Sequence, residues 1–255
     1  MTVEPLLALY SSDGATFAIV FGSLTAAYIV FGIAGFGAAL ISAPVLAHRI
    51  PLANVVPLLA LLDFVAAVAN GIKLNAKINF NELAWLTPLM AVGTVFGILL
   101  LTWLPANIAA SALGIFAVGY GIYGFSPHAK QSHIGRGWVI PIGLFGGLVS
   151  GLFGSGGFIY ALYLGRRLSD KDAARATQST LIGLATATRA MIFLIAGSYN
   201  DAGMIAMAAA GLPALFIGLF IGHRLSVRLS REQFHRIICA ITICTGTSLI
   251  ARFTL

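Results

Sequence analysis

Between Leu83 and Leu101 the chain carries no charged residue, and its apolar side chains fall on every side of any helix or strand. Such a run has no polar face to turn toward water. It matches the roughly 20 apolar residues a helix needs to cross about 30 Å of hydrocarbon. It lacks the alternation of the roughly ten-residue strands of a membrane barrel. The rest of the chain is of the same kind, with 9% charged and 59% hydrophobic residues, where a soluble domain carries about 25% charged. Too little charge is present to solvate a water-facing surface, which excludes a soluble enzyme and a disordered chain. The 29 glycines suit close contacts between membrane helices. The expected fold class is therefore an all-α polytopic membrane protein.

Full-length spans are expected at Ala15–Phe31, Ala53–Gly71, Leu83–Trp103, Asn107–Phe125, Ala176–Gly197, Gly203–Ile221 and Ile237–Phe253. Shorter segments fall at Gly35–His48, Trp138–Phe153 and Ser155–Leu164, for about ten in all. The polar connections, Lys73–Glu82, Ser126–Arg136, Arg166–Arg175 and His223–Arg236, are short, so function must reside within the membrane. The net charge of +7 is first a statement about orientation. If segments alternate sides, Lys73–Lys77, Lys130–Arg136, Arg166–Arg175 and Arg224–Arg236 share one face. Arg49 and Arg252 are left on the other with Glu4, Asp13 and Asp201. The positive-inside rule makes the first face cytoplasmic and both termini external. Met1–Asp13 lacks the basic start of a secretory signal, so no cleaved leader is expected. Cys239 and Cys244 sit in one apolar segment pointing different ways, which suits neither a disulfide nor a metal site.

The two halves of the chain repeat. Val30-Phe-Gly32-Ile-Ala-Gly35-Phe-Gly37 aligns with Val149-Ser-Gly151-Leu-Phe-Gly154-Ser-Gly156, and Pro88, Gly93, Gly97 and Gly121 match Pro213, Gly218, Gly222 and Gly246 at one constant offset. Residues 1–125 and 126–255 are thus expected to form two transmembrane repeats of about five hydrophobic segments each. An odd number of segments sets the copies upside down relative to one another, the architecture of secondary transporters. Each half opens with a glycine-rich break, Gly35 and Gly37 in the first, Gly154, Ser155, Gly156 and Gly157 in the second. A connection so apolar belongs inside the membrane, as a hairpin or broken helix whose freed backbone lines a cavity or packs in protein. Helix starts at such a break offer N–H groups and a positive dipole end to an anion. For Gly93-xxx-Gly97 and Gly218-xxx-Gly222, on uninterrupted helices, close packing is the expected role.

Two inverted hydrophobic halves, each opening at a glycine-rich break, resemble the sulfite exporter TauE/SafE family of bacterial permeases. Gly35-Phe-Gly37-Ala-Ala with Pro44, and Gly154-Ser155-Gly156-Gly157-Phe followed by Ala174-Arg-Ala-Thr177-Gln178-Ser179, carry the likeness. Both halves lack the third glycine of the family pattern, and Tyr163 stands where the second proline would align. The resemblance implies a multi-pass protein of the bacterial inner membrane that moves small anions such as sulfite or organosulfonates. Its partners are then that anion and the lipid bilayer, with a homodimer admitted and no nucleic acid.

Two charges interrupt the apolar segments. Asp63 lies mid-segment in the first half and Arg189 mid-segment in the second, and aligning Gly71 with Gly197 makes them repeat mates. Either charge alone at the bilayer centre costs about 2.5–3.5 kcal/mol, so each needs a partner or a wet cavity. Arg189 suits an oxyanion through its planar fork, and Asp63 suits a counter-ion or a carrier of a coupling proton. Gln178 and Thr186 add polar groups to the Arg189 helix, a hydroxyl there otherwise bonding its own backbone. No nucleotide, cofactor or metal motif is present, so no cofactor and no enzyme activity are expected. The competing readings are an intramembrane hydrolase at Ser155 and a non-transporting scaffold. The hydrolase needs a histidine base facing Ser155, and His48, His128, His133, His223 and His235 all fall at segment ends or in loops.

Overall fold

The computed structural model describes residues 14–35, 37–69, 77–125, 134–225 and 231–254. These form helices α1 (Gly14–Ala34), α2 (Ala38–Ala47), α3 (Leu52–Ala69), α4 (Phe80–Trp103), α5 (Ala106–Phe125), α6 (Val139–Phe153), α7 (Gly157–Arg167), α8 (Lys171–Ile195), α9 (Ala202–Leu225) and α10 (Arg231–Thr254), with a short 3-10 turn at Arg136–Trp138 before α6. No strand occurs among the described residues. Six of the helices are long and apolar enough to cross a membrane, while α2 belongs to a shorter apolar class. Asn70, Gly71, Lys73, Lys130, Arg228, His128, His133, Glu4 and Asp13 lie outside the described residues.

Several helices extend past the hydrophobic runs because polar residues cap them. The Asn79 side chain accepts the Glu82 N–H (3.1 Å), which starts α4 at Phe80 rather than Leu83. Asp170 accepts the Asp172 N–H (2.8 Å), which carries α8 back through the basic stretch to Lys171. Each cap satisfies a donor that a helix start leaves free. Hydropathy reports the hydrocarbon thickness, and capping reports where the helix begins. On α4, Trp85 and Trp103 project outward at the two ends, separated by about 27 Å at 1.5 Å per residue, the spacing of two membrane interfaces that favour indoles.

Glycine sets the helix pairing. A Cβ on Gly93 would lie 2.2 Å from Leu144 O, and one on Gly97 would lie 2.3 Å from Leu148 O. Met90 O and Thr94 O stand equally close to Gly147 and Gly151, at 2.3 and 2.4 Å. Helices α4 and α6 therefore touch backbone to backbone and run parallel. Gly218 against Thr25 O (2.7 Å) and Gly222 against Ile29 O (2.5 Å) join α9 to α1 in the same parallel sense. Gly114 near Gly246 O (2.9 Å) and Gly121 near Cys239 O (2.9 Å) join α5 to α10 antiparallel. With no hydrophobic drive between helices in lipid, such close approach is the main source of association, and the packing role expected for Gly93, Gly97, Gly218 and Gly222 holds. Gly32 approaches Gly222 as Gly151 approaches Gly97, so aligned positions exchange partners between the halves.

Four basic groups are paired around the start of α4 and the ends of α5 and α7. Lys77 pairs with Asp172 (2.6 Å), Arg136 donates to Asn81 (2.8 Å), Arg167 pairs with Glu82 (3.0 Å) and Arg166 donates to Tyr123 (3.4 Å). At the C-terminal end of α2, His48 meets Ser248 (3.2 Å), and Arg252 donates to the His48 carbonyl. Cys239 is buried and Cys244 exposed, and neither forms a disulfide.

Candidate functional site

Both glycine-rich stretches interrupt a helix, and both interruptions start alike. Gly35 returns its N–H to Phe31 O (2.7 Å) with φ +77°, and Gly154 returns its N–H to Ser150 O (2.9 Å) with φ +75°. Each is the left-handed residue that ends a helix, a conformation open to glycine without strain. Gly37 has φ +95° and caps the start of α2 without a side-chain hydrogen bond. The expectation of non-helical backbone fails at one position. Gly157 is the first residue of α7, whereas Gly156 stays in the turn before it, at φ −72° and ψ −17°. Gly156 is needed for space: its Cβ would lie 2.2 Å from Gly146 O and 2.9 Å from Ser150 Cβ. The loop between α6 and α7 is thus shorter than the glycine run that encodes it.

The two breaks approach one another. A single carbon added to Gly154 would touch Ala39 Cβ in the first turn of α2 (2.8 Å) and Arg189 Nη1 (3.2 Å). Arg189 comes from mid-α8 and meets Asp63 from mid-α3, with Nη2 donating to Oδ2 at 2.7 Å. Their side chains are 1% and 5% exposed. Arg189 Nη1 donates to Ser150 O (3.4 Å), a carbonyl at the C-terminal end of α6, where a cation is favoured by the helix dipole. The Tyr28 hydroxyl, from α1, donates to the other Asp63 oxygen, Oδ1, at 3.1 Å. Among the described residues Arg189 Nε has no hydrogen-bond partner. A cation with one nitrogen left without a partner, fixed beside two helix breaks, is an arrangement in which an anion can displace little and gain a charge-assisted hydrogen bond.

A family model described as "Sulfite exporter TauE/SafE" matches residues 19–249. The chain belongs to that family. It is 25% identical over 206 residues, 75% of this chain and 81% of the relative, to the "Probable inner membrane transporter protein TsaS" of Comamonas testosteroni. It is 26% identical over 228 residues, 86% of this chain and 87% of the relative, to the "Probable sulfite/organosulfonate exporter TauE" of Cupriavidus necator. No solved structure matches it significantly. The chain is a multi-pass membrane transporter of the TauE/SafE family.

Within this TauE/SafE chain the structure gathers Arg189, Asp63, Gly154 and the start of α2 beyond Gly35 and Gly37, and it leaves other sequence candidates apart. Gln178 is half-buried on α8, eleven positions before Arg189 and so about 16 Å away along the axis. Thr186 is buried, and its hydroxyl donates to Gly183 O in its own helix (2.9 Å). Ser155 is buried, with its hydroxyl turned onto Phe153 O (3.4 Å). Sequence reasoning missed Tyr28 and Ser150, because neither residue type is unusual in a membrane helix. It also read Glu82 as part of a polar connection. Glu82 is instead buried, receiving Tyr163 OH at 2.9 Å and Arg167 Nε at 3.0 Å. That cluster ties the far end of α7 to the start of α4.

Proposed function

We propose that this chain is a secondary transporter of the bacterial inner membrane for a small sulfur-containing oxyanion, sulfite or an organosulfonate. The observation that carries this reading is the buried Asp63–Arg189 pair placed where both helix breaks meet. The names of its relatives support the sulfur-containing class and the inner membrane. Gly35, Gly37, Gly154, Ser155, Gly156 and Gly157 border the path, and Arg189 binds the anion. Asp63 neutralises Arg189 between cycles and takes the coupling proton. Residues 1–125 and 126–255 act as two inverted repeats that rock about this point. The parallel pairings of α1 with α9 and α4 with α6, together with their exchanged glycine contacts, support that symmetry.

A buried ion pair can also be a static strut, and pairs of this kind do occur in bundles. Counterflow in proteoliposomes with sulfite, thiosulfate, sulfoacetate and carboxylates separates the readings. The proposal expects saturable exchange with sulfur oxyanions and weak exchange with carboxylates. Asp63→Asn should retain exchange while losing accumulation driven by a pH gradient. A double Asp63→Asn, Arg189→Gln variant that transports normally would overturn the site. Absence of saturable flux with every probe would overturn the transport of these anions.

A further inference from the structure

Arg189 offers two edges to an oxyanion, the end with Nη1 and Nη2 and the side with Nε and Nη2. At the first, Nη1 donates to Ser150 O and Nη2 donates to Asp63 Oδ2, so a protein oxygen already stands at each nitrogen. The side edge is half open: Asp63 occupies Nη2 with one oxygen only, and Nε stays bare. A free carboxylate beside a guanidinium prefers both prongs, since two parallel N–H···O bonds are the favoured pairing. Something must hold the second Asp63 oxygen away, and the Tyr28 hydroxyl is bonded to it at 3.1 Å. Tyr28 is itself immobilised. It is fully buried, and a Cβ on Gly218 would lie 2.7 Å from Tyr28 Cβ, so α9 presses on its base. Tyr199, by contrast, donates its hydroxyl to Pro57 O (3.0 Å).

We infer that Tyr28 is a positioning residue that holds Asp63 in one-pronged contact and thereby keeps Arg189 Nε open for an oxygen of the transported anion. This rests on the reading of Arg189 as the anion-binding group. It differs from a role in binding alone, because Tyr28 acts through Asp63 and need not touch the anion. It also assigns the contact atom: an incoming oxyanion bonds first to Nε, and gains Nη2 when Asp63 withdraws or is protonated.

The test is the half-saturation concentration for sulfite and for sulfoacetate in counterflow, with the melting temperature measured on the same samples. In Tyr28→Phe, Asp63 is free to close on Nε, and half-saturation should rise about tenfold, the loss of one charge-assisted contact, with the maximal rate per folded protein little changed. In an Asp63→Asn background no carboxylate remains to close the fork. Tyr28→Phe should then add no further change. An unchanged half-saturation in Tyr28→Phe, or an equal loss in both backgrounds, overturns the inference. If Tyr28→Phe does not accumulate, the Arg189 Nε–H resonance of nitrogen-labelled wild-type protein decides. It should shift on addition of sulfite, and a resonance that does not move overturns the inference. Arg189→Lys separates the two levels: unchanged affinity there defeats the anion site itself, whereas weakened affinity there with an unaffected Tyr28→Phe defeats only the role of Tyr28.

Discussion

The two helix breaks share a sequence pattern and a first turn of backbone, yet they are built differently around it. At the first, a Cβ on Gly35 would meet nothing within 4 Å, and one on Gly37 would meet only Val30 Cγ1 at 3.7 Å. Glycine is required there by its positive φ and not by crowding. At the second, Gly154 lies against Ala39 and Arg189, and Gly156 lies against the backbone of α6. The α6 terminus is capped by the Arg189 guanidinium, and the end of α7 is held by Glu82 through Arg167 and Tyr163. The corresponding end of α2 carries no carboxylate cluster of this kind among the described residues: His48 meets Pro44 O and Ser248, and Arg252 donates to the His48 carbonyl. One break is thus a packed anchor that fixes the cation, and the other has room beside it. Under the two-repeat mechanism proposed above, this division would give the fixed charge to one half and the space for movement to the other.

Substitutions at equivalent places sharpen that contrast. Gly156→Ala should have the largest effect, because its Cβ would have to displace the Gly146 carbonyl, which stands 2.2 Å away on a packed helix. Transport should be lost and the melting temperature should fall by about 5–10 °C, in line with overpacking of about 2–3 kcal/mol. A variant that melts and transports like wild type would show that the second break is not packed as described. Glu82→Gln should come next. It removes the charge from two hydrogen bonds at the end of α7, worth about 1.5–3 kcal/mol together, and thermal melting of the purified protein checks it. Gly37→Ala should cost least, about 1–2 kcal/mol of left-handed strain, while sulfite counterflow persists. A loss at Gly37 as severe as that at Gly156 would erase the distinction between the breaks.

The span pattern was legible because an apolar run as long as the bilayer is thick admits few alternatives. Asp63 and Arg189 were legible because charges are rare in such runs, and their pairing across the halves followed from the glycine alignment. The way the pair is wired was not. Which guanidinium nitrogen stays open depends on Tyr28 and Ser150, whose residue types are ordinary in membrane helices and whose roles arise only from three-dimensional placement. Both Nη atoms of Arg189 face protein oxygens, from Ser150 and Asp63, and no sequence pattern announces that. The second reason for glycine at Gly156 was hidden in a related way: close approach to α6 looks in sequence no different from the turn it also makes. Glu82 was hidden by neighbours such as Lys77 and Asn79, which made a buried carboxylate read as part of a solvated connection.

The central claim is that the anion binds at the Arg189 guanidinium, and Arg189→Lys tests it most directly. Lysine keeps the charge opposite Asp63 but loses the planar donors. The measurement is sulfite half-saturation in counterflow, made on protein whose melting temperature has been determined alongside. The account predicts a half-saturation at least about tenfold higher than wild type in a protein that still folds and inserts. A half-saturation equal to wild type would contradict it and reduce the Asp63–Arg189 pair to a structural strut.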